Sequence, residues 1–205
     1  MHPATAHREL TDEELYAQVV ALPEHLVGEV IDGVLHTHAR PAPKHAVAGT
    51  QAGGDLSTSF GKRKPGAAGP GGWWILFEPE LKLGRHVLVP DIAGWRRERM
   101  PQMPTTAQFH LAPDWICEVV SPDSARTDRM LKLPKYVEYG VAWAWLVDPG
   151  NQVVEVFQSD GGRWVLAGSF VGDDPARIPP FDAVELDLSS FWDTGQAAVG
   201  GDAER

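Results

Sequence analysis

The chain has little of several residue types and patterns, and each shortage excludes a class of protein. It has one cysteine, Cys117, among 205 residues, so no intramolecular disulfide can form and we expect a reducing compartment. No run of about 18 apolar residues occurs, which argues against a membrane-spanning helix. The N-terminus has no charged and then apolar leader, and we therefore expect a cytoplasmic protein.

Basic residues are also in short supply. Asp and Glu number 28 against 18 Lys and Arg, which gives a formal net charge of −10. Proteins that coat nucleic acids are usually basic, so this balance argues against that class. It leaves open an enzyme that meets a phosphate backbone through a local patch and a metal ion.

What the sequence does contain is typical of one globular domain. The length suits a single domain with a good core and is short for two. The hydrophobic fraction of 43% is ordinary, while 21 glycines and 17 prolines indicate many turns. We expect one domain at residues 11–192, a mobile N-terminus at 1–10 and a disordered tail at 193–205.

Local patterns predict both helices and strands. Thr11 and Glu14 have the spacing of a helix capping box. Asp32-Gly33, between two apolar runs, predicts a hairpin. Further segments at 44–60 and about 124–139 have helical spacing, and Pro134 should kink or split the second helix. Strands are expected at 73–77, 143–148, 153–158, 163–170 and 184–188. The expected fold is therefore α/β, with a mixed sheet flanked by helices.

Two short apolar runs each contain one carboxylate. V-L-V-P-D-I-A-G, at 87–94, contains Asp91, and W-I-C-E-V-V-S-P, at 115–122, contains Glu118. Runs of this kind are typical of strands covered on both faces. A carboxylate there costs roughly several kcal/mol to desolvate unless it meets a partner or a metal. If the two strands lie side by side, the pair indicates a divalent-metal site.

Mg²⁺ or Mn²⁺ would suit such a pair, because hard cations prefer oxygen ligands and Mg²⁺ usually keeps several waters. A metal held by such a pair lowers the pKa of a bound water and makes it a better nucleophile. Two structural alternatives stay open. Asp91 follows a proline and could cap a turn, and Glu118 could belong to a buried ion pair.

An ordered set of motifs lies within a resemblance that spans about residues 26–190. They are G-E-V-I-D-G at 28–33, E-P-E-L-K-L-G at 78–84, V-P-D-I-A-G-W at 89–95, E-V-V-S-P-D-S at 118–124, T-D-R-M-L-K-L-P-K-Y at 127–136 and W-L-V-D-P at 145–149. The set resembles the Uma-family restriction endonucleases of the PD-(D/E)XK nuclease superfamily. The resemblance implies a restriction-endonuclease-like core and a metal-dependent hydrolase that cleaves DNA phosphodiester bonds.

The resemblance also implies roles for particular residues. Asp91 and Glu118 would be catalytic metal ligands, and the backbone carbonyl of Val119 would complete the site. Glu29 matches the acidic residue of the family's first strand, which binds the metal directly or through water. An ordinary exposed strand residue is the alternative for Glu29.

The motif's lysine is missing from its usual place. It would fall at Val120, which cannot orient water or stabilise an anion. In the Uma-type pattern a lysine of the following helix takes its place, and Lys132 matches it, with Lys135 as the second choice. Lys132 also lies four residues after Asp128, so an ordinary helix ion pair is its structural alternative.

Two basic runs and one histidine are candidates for contact with the substrate. The basic run Lys62, Arg63 and Lys64 lies in a glycine-rich loop, where the backbone could approach phosphates closely. Arg96–Arg99 forms a second basic loop, and either run could instead be a solvated face. His45 opens a predicted helix, where a capping or core role is the alternative to contact with substrate.

A second interpretation is a non-catalytic module, a nuclease fold that binds nucleic acid or a protein partner. The acidic balance and the apolar Val120 both favour it. Both interpretations allow a homodimer, since a cut across two strands needs two sites related by symmetry.

Overall fold

A computed structural model of the chain describes residues 9–39, 42–62, 65 and 69–195. The helices are α1 (Asp12–Val20), α2 (Pro43–Phe60), α3 (Ala125–Thr127), α4 (Leu133–Glu138) and α5 (Ser189–Trp192), and a π-helical turn, Asp128–Lys132, joins α3 to α4. The strands are β1 (Leu26–Ile31), β2 (Val34–Ala39), β3 (Trp73–Phe77), β4 (Leu81–Leu83), β5 (His86–Leu88), β6 (Ile92–Arg96), β7 (Trp115–Val119), β8 (Trp143–Asp148), β9 (Val153–Asp160) and β10 (Arg163–Val171).

The strands form two sheets. The larger has the order β10-β9-β8-β7-β6-β3, and the smaller has the order β2-β1-β5-β4. In the larger sheet β7 and β8 run parallel, while its other neighbouring strands are antiparallel. Parallel neighbours need a crossover connection, which here is the segment from α3 to α4. The mixed α/β fold expected from the sequence is confirmed.

The larger sheet separates two hydrophobic cores. Helices α2 and α5 contribute to the first core, and α4 and the smaller sheet contribute to the second. Successive strand residues point to opposite faces, so Cys117 and Val119 join the first core while Ile116 joins the second. Glu118 therefore points to the same face as Ile116, toward α4.

Several local predictions are confirmed. Thr11 and Glu14 form a complete capping box at the start of α1, and Asp32-Gly33 is the turn between paired strands β1 and β2. Pro134 lies in the first turn of α4, directly after the π-helical turn. The helical segment continues through this proline without a break, with a π-helical turn directly before it, although the proline removes one backbone hydrogen bond.

The prediction of one strand across 87–94 is wrong. Strand β5 ends at Leu88 in the smaller sheet, and β6 begins at Ile92 in the larger sheet. Pro90 lies between them and has no backbone N–H to give to a ladder. Asp91 consequently lies at the point where the chain crosses from one sheet to the other.

The prediction of a last strand at 184–188 is also wrong. Only an isolated bridge between Ala176 and Leu186 forms there, and α5 follows it. Leu186 and Leu188 are nevertheless buried in the first core. Their alternating pattern reflects burial, without a continuous strand partner.

The predicted mobile N-terminus and tail fall mostly outside the described residues, as do Arg63 and Lys64. Within the described ranges no helix has both the length and the apolar character needed to cross a bilayer.

Candidate active site

Strand register brings the two predicted carboxylates together. In the antiparallel pair of β6 and β7, Ile92 lies opposite Cys117. Asp91, which directly precedes β6, consequently comes level with Glu118. The backbone N–H of Val119 donates to Asp91 Oδ2 at 2.7 Å. This hydrogen bond ties the link before β6 to the end of β7.

A cavity of about 520 Å³ opens over this pair. Its lining carries six carboxylates, three imidazoles and one ammonium. The residues are Glu29, Glu78, Asp91, Glu118, Asp123, Asp128, His36, His38, His45 and Lys132. The structure thus gathers the predicted metal ligands, the predicted lysine, Glu29 and His45 around one space, and Val119 lines it too.

The ammonium of Lys132 is surrounded by oxygen acceptors, one for each of its hydrogens. Its Nζ atom is 2.9 Å from Glu118 Oε1 and 3.0 Å from Glu29 Oε1. It also donates to the backbone carbonyl of Val89 at 3.0 Å. An ammonium has three hydrogens to donate, and these three acceptors account for them. Asp128, its partner within the helical segment, is farther away at 3.8 Å.

Burial and neighbouring charges shift the pKa values of Glu118 and Lys132. Burial raises the pKa of Glu118 well above its usual value, and Lys132 only partly opposes that shift. Burial alone would lower the pKa of Lys132, but the carboxylates of Glu118, Glu29 and Asp128 raise it above its ordinary value. Lys132 therefore stays protonated and positively charged. The buried ion pair considered as an alternative for Glu118 is present, inside the candidate site.

Glu118 has a second buried donor. The hydroxyl of Tyr136, which is inaccessible to solvent, donates to Glu118 Oε1 at 2.7 Å. Lys132 contacts the same oxygen. In the described ranges no hydrogen bond or ion pair falls on Oε2.

Sequence reasoning gave Tyr136 no role, although a signal existed. Asp128, Lys132 and Tyr136 follow one another at intervals of four residues, which is the spacing of one helix face. A polar triplet of this kind before an apolar strand could have indicated a common buried partner. Lys132 and Tyr136 share Glu118 as that partner, while Asp128 lies 3.8 Å from Lys132.

Asp91 is held in a similar way. Its Oδ2 atom accepts the Val119 N–H, and His45 Nε2 lies 3.4 Å from the same oxygen. Burial would lower the pKa of His45, but its hydrogen bond to Asp91 and the nearby negative charge raise the pKa above the ordinary value. His45 lies in the first turn of α2, so the helix start places it in the cavity.

Glu29 is buried, so its alternative as an exposed strand residue is wrong. Only 1% of Glu29 is exposed. Its Oε1 atom accepts the Val89 N–H at 2.7 Å and the Lys132 ammonium at 3.0 Å. His38 Nε2 lies 3.8 Å from the other oxygen. Glu29 thus contacts Lys132 directly and links β1 to Val89 and Lys132 at the cavity.

Two predicted cations lie elsewhere. Lys135 Nζ pairs with Asp32 at 2.7 Å and with Glu138 at 3.3 Å, and Lys135 is not part of the cavity lining. Lys62 follows the C-terminal end of α2, whereas His45 lies near its start. At 1.5 Å per helical residue, the two are separated by about 25 Å.

The basic loop after β6 has structural contacts. The guanidinium of Arg97 lies over the Trp74 ring and donates to the carbonyl of Gly61. Arg99 pairs with Asp114 at 2.8 Å. Arg97 and Arg99 thus have partners within the protein. These contacts favour a structural role for this basic loop over contact with substrate.

The donor set fits a small, hard cation. Within the described ranges, Asp91 Oδ1 and Glu118 Oε2 have no hydrogen bond or ion pair, although both residues line the cavity. A carbonyl such as that of Val119 has two lone pairs, and Val119 also lines the cavity. Mg²⁺ is usually bound by one or two carboxylates with several waters.

The described residues contain no group of three or more His, Cys, Asp and Glu side chains arranged to hold a metal ion. A metal at this cavity would therefore rest on two carboxylates, one carbonyl and water.

Comparisons with known proteins show the family and the fold. A family model named Uma2 and described as "Putative restriction endonuclease" matches residues 13–189. The crystal structure of a putative nuclease belonging to DUF820 from Anabaena variabilis superposes with a TM-score of 0.71 at 23% identity, covering 89% of this chain and 97% of that chain. At this identity the likeness concerns the fold. No curated protein matches the chain.

Proposed function

Because the chain belongs to the Uma2 family, described as putative restriction endonucleases, we propose that it is a metal-dependent endonuclease that hydrolyses DNA phosphodiester bonds. One observation carries the proposal. Asp91, directly before β6, lies level with Glu118 of β7 over one cavity, and each is held by the protein through one oxygen only.

Asp91, Glu118 and the Val119 carbonyl would hold Mg²⁺ or Mn²⁺. The metal, when bound, would supply a water of lowered pKa and would polarise the phosphoryl oxygens. The protein residues keep the two carboxylates in place, because Val119 and His45 hold Asp91 while Lys132 and Tyr136 hold Glu118.

Lys132 would stabilise negative charge through its field. Its three hydrogens are directed to Glu29, Glu118 and Val89, so a direct hydrogen bond to substrate would require one of these contacts to open. Glu29 would be an accessory acidic residue, whose carboxylate holds this ammonium beside the cavity. In many enzymes, preorganised charge at a site from which water is excluded contributes more to catalysis than any other effect.

Contacts with the rest of the DNA would lie farther out. His45 lines the cavity and would meet the substrate near the reacting phosphate. The run Lys62, Arg63 and Lys64 begins about 25 Å along α2 from His45, a span of about seven base pairs at 3.4 Å each. This run would contact distant phosphates and contribute to binding, without a part in the chemistry.

The test is cleavage of supercoiled plasmid by the purified chain with Mg²⁺, with Mn²⁺ and with a chelator. Asp91→Asn and Glu118→Gln remove one charge each at nearly constant shape. Glu138→Gln is the matched control, because Glu138 pairs with Lys135 outside the cavity lining. We expect metal-dependent cleavage by the wild type and the control only. Cleavage that survives both substitutions, or calorimetry without metal binding, overturns the proposal.

A second candidate is a non-catalytic module that binds nucleic acid or a protein partner. The full use of Lys132's hydrogens inside the protein favours it, because such a lysine serves as an internal support. Duplex binding without cleavage in any divalent metal would select this candidate. Light scattering with and without DNA would show whether two copies pair, as a cut across both strands requires.

A further inference from the structure

The two oxygens of Glu118 have different surroundings. Oε1 takes the Tyr136 hydroxyl at 2.7 Å and the Lys132 ammonium at 2.9 Å. Both donors are buried, with Tyr136 at 0% and Lys132 at 3% exposure. No hydrogen bond or ion pair from the described residues falls on Oε2, and Glu118 lines the cavity. The carboxylate thus has one oxygen turned to the protein and one left for a ligand.

We propose that Tyr136 and Lys132 together force Glu118 to be a one-oxygen ligand, and that Tyr136 thereby sets the preference of the site for Mg²⁺ over Ca²⁺. This inference rests on the proposed metal-dependent function. It assigns Tyr136 the role of a positioning residue, which acts through Glu118 and does not touch substrate.

The reasoning follows from what the two cations require. Mg²⁺ demands near-ideal octahedral geometry and is usually bound through one or two carboxylates with its remaining places taken by water and substrate. Ca²⁺ takes six to eight oxygens and readily accepts a carboxylate by both oxygens. A carboxylate with one oxygen fixed by two buried donors can offer only the other, which suits the smaller cation.

Lys132 alone would not fix the carboxylate. Its ammonium is shared with Glu29 at 3.0 Å and the Val89 carbonyl at 3.0 Å, so it could stay in place if Glu118 turned. Tyr136 has one hydroxyl hydrogen, and Glu118 Oε1 receives it. Loss of that hydroxyl frees Glu118 to rotate and present both oxygens, while the phenyl ring still fills the core.

The experiment compares Mg²⁺ and Ca²⁺ affinities by calorimetry for the wild-type chain, Tyr136→Phe and Tyr139→Phe. Residues that support metal ligands typically change metal affinity by about 10–100-fold when mutated. For Tyr136→Phe we expect the Mg²⁺ dissociation constant to rise by about tenfold while that of Ca²⁺ rises less or falls. Tyr139 is outside the cavity lining and faces His86, so Tyr139→Phe should leave both constants unchanged.

Each outcome decides a different point. If the wild type binds neither cation, the proposed function fails, and this inference fails with it. If the wild type binds Mg²⁺ and Tyr136→Phe keeps the wild-type ratio of the two constants, only this inference is overturned. A merely structural role for Tyr136 would weaken both cations in parallel.

A second measurement does not depend on whether Tyr136→Phe folds. Infrared difference spectra report whether a metal-bound carboxylate uses one or two oxygens, through the splitting of its stretching bands. We expect the Glu118 bands, assigned with Glu118→Gln, to show one-oxygen binding of Mg²⁺. Two-oxygen binding of Mg²⁺ would overturn the inference even if Tyr136→Phe failed to fold.

Discussion

The ammonium of Lys132 lies 2.9 Å from Glu118 Oε1, and both side chains are almost completely buried. Burying a charge is tolerable only when it is paired. Each residue therefore depends on the other, whatever chemistry the site performs.

Lys132→Met should strongly destabilise the protein. It leaves Glu118 and Glu29 without their cation in a buried site, and the loss of one partner of a buried pair typically costs about 3–5 kcal/mol. Lys135→Met is the matched control, because Lys135 pairs with the exposed Asp32, where about 1 kcal/mol or less is expected. Urea unfolding gives the free energy of unfolding of both variants. Equal losses of stability in the two would contradict this prediction.

Two adjacent glycines of α2 should respond differently to alanine. A Cβ at Gly54 meets no atom within 4 Å, so Gly54→Ala should stabilise the helix by about 0.5–1 kcal/mol. A Cβ at Gly53 would overlap the Phe77 ring, which is 52% exposed and would have to shift, so Gly53→Ala should be less stable than Gly54→Ala. Thermal unfolding of both variants gives the comparison. If Gly53→Ala proved as stable as Gly54→Ala, the packing of Phe77 on α2 would be wrong.

The Asp32–Lys135 pair should contribute stability that depends on pH. The hydrogen bond from Lys135 lowers the pKa of Asp32. Stability from Asp32 is therefore present above its unfolded-state pKa and is lost as the pH falls through its lower folded-state pKa. Asp32→Asn keeps a residue that tolerates the left-handed backbone found there, with φ at 52°.

The measurement is the difference in unfolding free energy between the wild type and Asp32→Asn. We expect less than about 1 kcal/mol at neutral pH, because the pair is exposed, and convergence of the two proteins in acid. A difference that stayed constant into acid would show that the charge of Asp32 contributes nothing.

Neutralising the basic run at 62–64 should weaken DNA binding without slowing cleavage of bound DNA. Each lost phosphate contact should reduce the slope of log affinity against log salt by about 0.9. The triple variant Lys62→Gln, Arg63→Gln, Lys64→Gln is to be compared with the wild type on long and short duplexes. The effect should vanish on duplexes too short to reach the run. A slower single-turnover rate would place this run at the chemistry instead.

The sequence is most informative about strands and least informative about what surrounds each carboxylate. The apolar runs around Asp91 and Glu118 predicted neighbouring strands, and their register places the two residues level. The sequence did not predict that Asp91 lies between two sheets, because a break at Pro90 and a continuous edge strand share the same apolar pattern. The Glu29 alternative failed because the face of β1 that carries Glu29 packs against Lys132 and Val89, and a strand pattern does not contain these distant partners.

The side-chain partners were harder to predict than the backbone. Lys132 and Lys135 lie three residues apart on neighbouring helical positions, and only the packing of α4 shows that one points inward and the other pairs with Asp32. Tyr136 escaped notice because a buried tyrosine is usually a core residue. Its hydroxyl matters here only because β7 brings Glu118 beneath it.

The position of Lys132 between two sheets has a kinetic consequence. Its ammonium joins Glu29 of the smaller sheet to Glu118 of the larger one, and β1 and β7 are far apart along the chain. The entropy of loop closure must be overcome before contacts between distant segments can form, and we expect this contact to form after the local ones. We therefore expect loss of the Glu29–Lys132 contact to accelerate unfolding far more than it slows folding, so that these buried charges act chiefly to prolong the lifetime of the native state.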